Sequence, residues 1–337
     1  MPWFQEGRAR RQTRLWRNAI QIGLGLILLI AGYRFYLFVQ HFDTWGATPF
    51  HPRPPVVEAF LPIGALVSFK LWVLTGFYDP IHPAALSIFL TVLATALLFR
   101  KGFCSWICPI GTILEGIHRL GEQFLPQVRL PKMVAYPLLS LKYLLLFFFV
   151  KIIIIDMPVP ALVGFINSPY YKIADAKMLD FFLHMSPLTA KVLLGLLVLS
   201  LFIKNFWCRF LCPYGALLGL ISLFSPARVY REETRCVNCG RCDRACTYDI
   251  KVSGQRAVRS PECTGCLDCV AACPVEGCLA VGWRKDKPVH PWVFGGMVLG
   301  FFLLALGLAK VTGRWETILT LEEYASLLPL RHLTGHP

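Results

Sequence analysis

Eight cysteines between positions 236 and 273 constrain this chain more than any other feature. They stand as CVNCGRCDRAC (236–246) and, after an intervening stretch, CTGCLDCVAACP (263–274). Two C-x2-C-x2-C-x3-C runs in tandem supply sulfur at the spacing that holds [4Fe–4S] cubanes. Each cube needs four thiolates at its corners. One run wraps three of them around a cluster, and the fourth comes from the other run. By that crossing, Cys236, Cys239 and Cys242 take Cys273, while Cys263, Cys266 and Cys269 take Cys246. Zinc and disulfides are the rival readings. Zinc takes pairs of C-x2-C with a longer gap, without the final x3 spacing, and disulfides require an oxidising compartment. Thr247 stands where proline commonly follows the fourth cysteine, a change that removes no ligand.

The rest of the chain is apolar. Of 337 residues 55% are hydrophobic, mean hydropathy is +0.55, and several apolar runs are long enough to cross a bilayer. The reading is an α-helical integral membrane protein of about five transmembrane helices. Into it is inserted a small α+β domain with two [4Fe–4S] sites. The formal charge of +14 would suggest nucleic acid in a soluble protein. Here the cations cluster in segments between apolar spans, which is the positive-inside pattern, and nucleic acid is set aside.

In order, residues 1–17 carry Arg8, Arg10, Arg11, Arg14 and Arg17 and read as a basic cytoplasmic segment. The membrane domain covers 18–227, with spans at 18–39, 83–99, 133–155 and 187–206. The first span has no convincing cleavage site and reads as an anchor. Arg34 near its outer end can snorkel to the interface. The stretch 57–77 contains Glu58, Pro62 and Lys70 and reads as a re-entrant or interfacial segment on the outer face. A full crossing there would put the largest basic loops outside. Residues 156–186 read as an external loop, 228–290 as the cytoplasmic cluster domain, 291–312 as the fifth span and 313–337 as an external tail. Lys142, mid-membrane, should face other helices, water or a cofactor rather than lipid.

One unit repeats. FCSWICPIG (103–111) and WCRFLCPYG (207–215) each place C-x3-C-P-x-G after a span that ends in a cation. Cysteines four apart on a helix share a face, and the proline opens a new helix at its first residue. Cys108 and Cys212 therefore sit near helix N-termini, where the dipole favours thiolate. Cys104, Cys108, Cys208 and Cys212 either bind a metal or a further cluster, together or apart, or act as two redox dithiols. The plainer reading is four small apolar residues at tight turns shaped by glycine and proline.

With both C-x3-C-P motifs, the tandem cysteine runs and RPPVVEAFLPIG (53–64), the chain resembles the NapH/NosR-type membrane polyferredoxins, bacterial electron-transfer proteins. Leu61 stands where members often have cysteine before the proline, and no flavin domain is present beyond a faint likeness in DTWGAT (43–48). The resemblance implies a ferredoxin-type insert, location in the bacterial cytoplasmic membrane with N-terminus and clusters inside, and electron transfer between a quinol or ferredoxin-like donor and a respiratory partner protein. Hydrocarbon about 30 Å thick separates inner clusters from an external partner, so a redox group near the four C-x3-C-P cysteines would shorten the path.

Other residues read more plainly. Cys278 is a small buried apolar residue. His41, His51, His82, His118 and His184 form no pair suited to a b-haem and read as interfacial or loop residues. Glu58 and Lys70 are the residues that could attend a quinone headgroup, and Asp249 and the other acids of the insert read as solvated surface. No nucleophile–base pair or phosphate loop is present, so any substrate chemistry belongs to a partner. Two rival functions stand beside electron transfer: an oxidase-assembly or copper-reduction factor, and a cluster-based redox sensor or anchor.

Overall fold

The computed structural model describes residues 2–335, and the side chains of 2–11 are not among those described. Arg8, Arg10 and Arg11 of the basic N-terminal segment therefore lie outside the described side chains. The chain divides into two compact units. One comprises 1–24, 92–146 and 192–303, and the other 25–91, 147–191 and 304–337.

Among the described residues three helices are long and apolar enough to cross a membrane. They are Gln12–Asp43, Lys132–Asp156, whose last residues Val150–Asp156 wind as a π-helix, and Pro291–Val311. Ala174–Leu183 and Pro187–Phe202 make a fourth crossing if the pair, bent by 78°, is one span. Pro83–Phe99 is apolar but only 17 residues long, about the shortest length that spans hydrocarbon.

In the first unit a three-stranded antiparallel sheet, β1 (Arg228–Arg231), β2 (Leu279–Arg284) and β3 (Lys287–Val289), closes the cysteine-rich insert. Arg228 pairs with Gly282 and Arg231 with Leu279, so β1 and β2 bring the two ends of the insert together. Two short helices, Arg241–Ala245 and Asp268–Ala271, each carry the third cysteine of a run, Cys242 and Cys269. The insert thus combines short helices with a small antiparallel sheet.

The second unit has its own core. Phe35, Phe38, Leu71, Leu162, Tyr171 and Tyr324 are among the residues buried there. Residues 57–77 form a 3-10 turn, Pro55–Phe60, and a 14-residue helix, Pro62–Thr75. The segment read as an external loop at 156–186 is largely helical, with Val159–Ile166, Pro169–Lys172 and Ala174–Leu183. In the tail, Leu321–Leu327 begins with a capping box in which Thr320 and Glu323 satisfy each other's backbone N–H groups.

Polar side chains are buried and paired in this unit. His82 stands in the loop just before Pro83–Phe99, as read, but its side chain is fully buried, with Nε2 2.7 Å from the Tyr171 carbonyl. Glu58 is buried too and accepts from Arg53 at 2.7 Å, while Arg53 Nε donates to Asp175 at 2.7 Å. Lys70 donates to the carbonyls of Ile153 and Met157. Both candidate headgroup residues are therefore committed to partners within the protein. Burial opposes the charged form of His82, but the hydrogen bond and charge of Glu58 outweigh it and hold the imidazole above its ordinary range. Removing the shared cation strands two buried carboxylates. Arg53→Met is expected to destabilise the protein by about 3–5 kcal/mol, read as a lowered thermal midpoint in detergent, with an unshifted midpoint refuting the role.

Candidate functional site

The eight cysteines of the insert gather around two cavities. Cys236, Cys239, Cys242 and Cys273 line one. Cys246, Cys263, Cys266 and Cys269 line a second. These are the two sets that the crossing of the runs gives. Among the described residues no group of three or more His, Cys, Asp or Glu converges tightly enough to hold a single metal ion. Sulfurs spread around a hollow, rather than closed on one point, fit a cube better than a tetrahedral ion.

The backbone explains how each run encloses its hollow. The residues just before and just after the second cysteine are left-handed in both runs. They are Asn238 (φ 52°) and Gly240 (φ 67°) in the first, and Gly265 (φ 64°) and Leu267 (φ 65°) in the second. Leu267 holds this costly conformation while buried, so packing must offset about 1–2 kcal/mol. Successive turns of this kind aim amide N–H groups inward as an anion-binding concavity. Ile250 N lies 3.4 Å from the Cys246 sulfur, one such contact.

The carbonyls of the same loop are caught from outside. Ser105 Oγ donates to the Thr264 carbonyl at 2.8 Å, Trp106 Nε1 to Gly265 at 3.1 Å and Arg17 Nη1 to Cys266 at 2.7 Å. Arg100 Nη2 donates to Ser260 at 2.5 Å. The second C-x3-C-P repeat grips the other run in a matching way. Arg209 pairs with Asp249 at 2.5 Å and Lys204 donates to the Arg244 carbonyl at 3.3 Å. Gly295 leaves room for the Trp106 ring, with which any side chain there would collide.

The C-x3-C-P motifs fold as their prolines dictate. Cys108 and Cys212 are the extended N-cap residues (ψ 123° and 106°) of helices that open at Pro109 and Pro213. Gly215 N donates to the Cys212 sulfur at 3.2 Å. A Cβ at Gly111 would collide with the carbonyl of Cys104, so only glycine lets the helix pass its own preceding turn. Cys104, Cys108, Cys208 and Cys212 come close enough for the charge of one to raise the pKa of another.

Burial opposes the thiolate form that the helix termini favour. Burial pushes Cys104 up to about 12, although Lys101 pulls the other way. It pushes Cys108 up to about 11 despite the N–H groups of Gly111 and Ile110. Desolvation exceeds the helix-terminus effect. In the insert, burial raises Cys242 and Cys246 to about 11 and Cys266 and Cys269 higher still. Such thiols are poor free nucleophiles, and a bound cationic centre is what would draw off their protons.

Tyr248 adjoins both groups of cysteines. Burial raises its hydroxyl, and so do the charges of Cys208, Cys104 and Cys266 in turn. Lys101 Nζ lies 5.6 Å over the Tyr248 ring. Lys142, fully buried, donates to Glu262 at 2.5 Å, and Lys101 is 3.7 Å from the same carboxylate. Burial pushes Glu262 up, but Lys101 and Lys142 outweigh it and hold the carboxyl below its ordinary range.

The acids of the insert are thus not simply solvated. Glu262, Asp268 and Asp249 face Lys142, Arg17 and Arg209, each from a distant part of the chain. Arg17, read as a cytoplasmic topology signal, is 1% exposed and joins Glu115 to Asp268. Its only hint in sequence is its place at the border of the apolar span, since a buried arginine there needs acids that lie far along the chain. His118, also buried, is a further departure from its reading as a loop residue.

The family profile of a 4Fe-4S binding domain matches residues 81–126 and again 186–230, and that of a 4Fe-4S dicluster domain matches 228–274. The chain is 38% identical over 333 residues to the putative electron transport protein YccM of Escherichia coli, covering 97% of this chain and 93% of that one. It is 28% identical to protein NirI of Paracoccus denitrificans over 83% of this chain and 38% of the relative. It is 27% identical to the regulatory protein NosR of Pseudomonas aeruginosa over 52% of this chain and 24% of the relative. No solved structure matches the chain.

Arg17→Met would leave Glu115 and Asp268 without their shared guanidinium. A loss of about 3–5 kcal/mol is expected, against under about 0.5 kcal/mol for exposed Arg14→Met. Equal thermal midpoints for the two variants would contradict the clamp.

Proposed function

The chain belongs to the NapH/NosR-type family of membrane polyferredoxins, and from that premise we propose that it is a membrane-bound one-electron carrier with two [4Fe–4S] clusters. Cys236, Cys239, Cys242 and Cys273 would hold one, and Cys246, Cys263, Cys266 and Cys269 the other. The observation that carries this reading is the division of the eight cysteines between two cavities, each taking three from one run and one from the other. When bound, each cube takes up and gives back a single electron.

The protein's part is to hold and shield. Arg17, Ser105 and Trp106 fix the carbonyls of the second run outward, which leaves its N–H groups free to face the sulfurs. Hydrogen bonds and burial of this kind tune the potential of such a centre. Cys246 and Cys269 are buried, whereas Cys239 is exposed. The first cavity is the better placed to meet a soluble partner and the second the better shielded.

Cys104, Cys108, Cys208 and Cys212 form the next site in this scheme. They are proposed to hold a further redox-active metal or cluster, with Lys101 beside them as compensating charge. Tyr248, adjoining Cys104, Cys208 and Cys266, lies on the short route between that site and the second cavity.

In the membrane we propose five crossings, with the N-terminus and insert on the cytoplasmic side. The division of the chain supports this. The segments with an inner-face charge pattern, around 12–24, 100–132 and 204–290, fall in one unit, and 40–82, 156–186 and 313–335 in the other. The donor is proposed to be a quinol or a ferredoxin-like protein and the acceptor a respiratory redox protein.

Anaerobically purified protein is expected to be brown, with about eight or more iron atoms per chain and reduced-state EPR signals of two interacting clusters. Cys239→Ser and Cys266→Ser are each expected to remove one signal and about four irons. Colourless protein carrying zinc would refute the reading. Iron and signals unchanged in Cys104→Ser/Cys208→Ser would refute a redox group at the C-x3-C-P site alone.

A further inference from the structure

The first cavity contains a thiol that its set of four does not use. Cys278 follows Cys273 by five residues in PVEGC (274–278). The turn between them is fixed. Gly277 has φ 72°, and a Cβ there would lie 2.5 Å from the Arg235 guanidinium that covers it. Cys278 N donates to the Val275 carbonyl at 3.2 Å, which closes the turn.

This geometry returns the chain to the cavity that Cys273 has just left. Cys278 lines it together with Cys236, Cys239, Cys242 and Cys273, and is 3% exposed. Its Sγ lies 3.8 Å from the Glu232 carbonyl oxygen, a contact to backbone that leaves the thiol on the wall of the cavity. The second cavity has no counterpart, for its lining holds only its own four cysteines. Cys278 also stands on firmer ground than the ligand it adjoins. Cys273 follows a four-residue helix, whereas Cys278 directly precedes β2, and its carbonyl accepts from Glu232 N at 2.8 Å beside the β1–β2 ladder.

Resting on the proposal that this cavity holds a cluster, we propose that Cys278 is a reserve iron ligand, poised to replace Cys273 when that bond is lost. The exchange is balanced without an oxidant. The Cys278 S–H bond breaks, its sulfur bonds the iron that Cys273 leaves, and the released proton goes to the Cys273 sulfur. No electron moves. The first cluster, closer to solvent by the exposure of Cys239, is the one for which a spare ligand has a use.

The test uses full-length protein purified without oxygen as wild type, Cys278→Ala, Cys273→Ala and Cys273→Ala/Cys278→Ala. Iron per chain, EPR of the reduced protein, and alkylation of Cys278 mapped by mass spectrometry are the readouts. Cys278→Ala should keep both clusters. Cys273→Ala should also keep both, with Cys278 protected from alkylation, and only the double variant should lose the first signal and about four irons. Persistence of the second cluster's signal shows in each case that the insert is folded. Cys246→Ala, with no spare thiol in its cavity, should lose the second cluster outright. Loss of the first cluster in Cys273→Ala, or its retention in the double variant, would overturn the proposal while two clusters in the wild type still stood. Absence of both clusters from the wild type would instead refute the reading on which it rests.

Discussion

The capture of three consecutive carbonyls, those of Thr264, Gly265 and Cys266, is the contact on which the rest of the site depends. A peptide plane cannot send its C=O and N–H the same way. With the carbonyls held outward by Ser105, Trp106 and Arg17, the loop's amides are left for the hollow that the cysteines surround. The three donors come from a helix that begins the chain and from the first C-x3-C-P repeat. A small insert, with a correspondingly small core, therefore takes part of its rigidity from the elements that hold its loop.

The two C-x3-C-P repeats act as a pair of hands on the insert. The first holds 260–266 through Arg100, Ser105 and Trp106, and the second holds 244–249 through Lys204 and Arg209. Both grips fall on the runs that line the second cavity, which explains why Cys246 and Cys269 are buried while Cys239 is exposed. The repeats thus have a mechanical role whatever their thiols bind. Arg17, Lys142 and Arg209 each have an acid in the insert, so charge complementarity helps set the register as packing sets the distance. Stripping either partner is costly because the other stays buried.

Much of this was legible in the sequence because spacing carries geometry. The cysteine runs implied two sets of four, the proline after Cys108 and Cys212 implied helix starts, and Lys142 in mid-span implied a buried partner. Long-range pairing was not legible. Nothing near Arg17 announces Asp268, and nothing near Arg53 announces Asp175, because such pairs are set by the fold and not by local pattern. Counting positive charge therefore missed the buried pairing of Arg17. The helix-terminus argument at Cys108 left out burial, since local dipoles are readable in sequence and desolvation is not. Residues 156–186, read as an external connection between spans, are largely helical, with prolines at 158, 160 and 169 in or near first turns.

Anomalous diffraction at the iron edge, on crystals grown without oxygen, tests the central claim most directly. The account predicts two cube-sized iron densities in the insert, each touched by three sulfurs of one run and one of the other, with Cys273 on the first and Cys246 on the second. Two densities each bound by a single run's four sulfurs, or a zinc signal in their place, would contradict it.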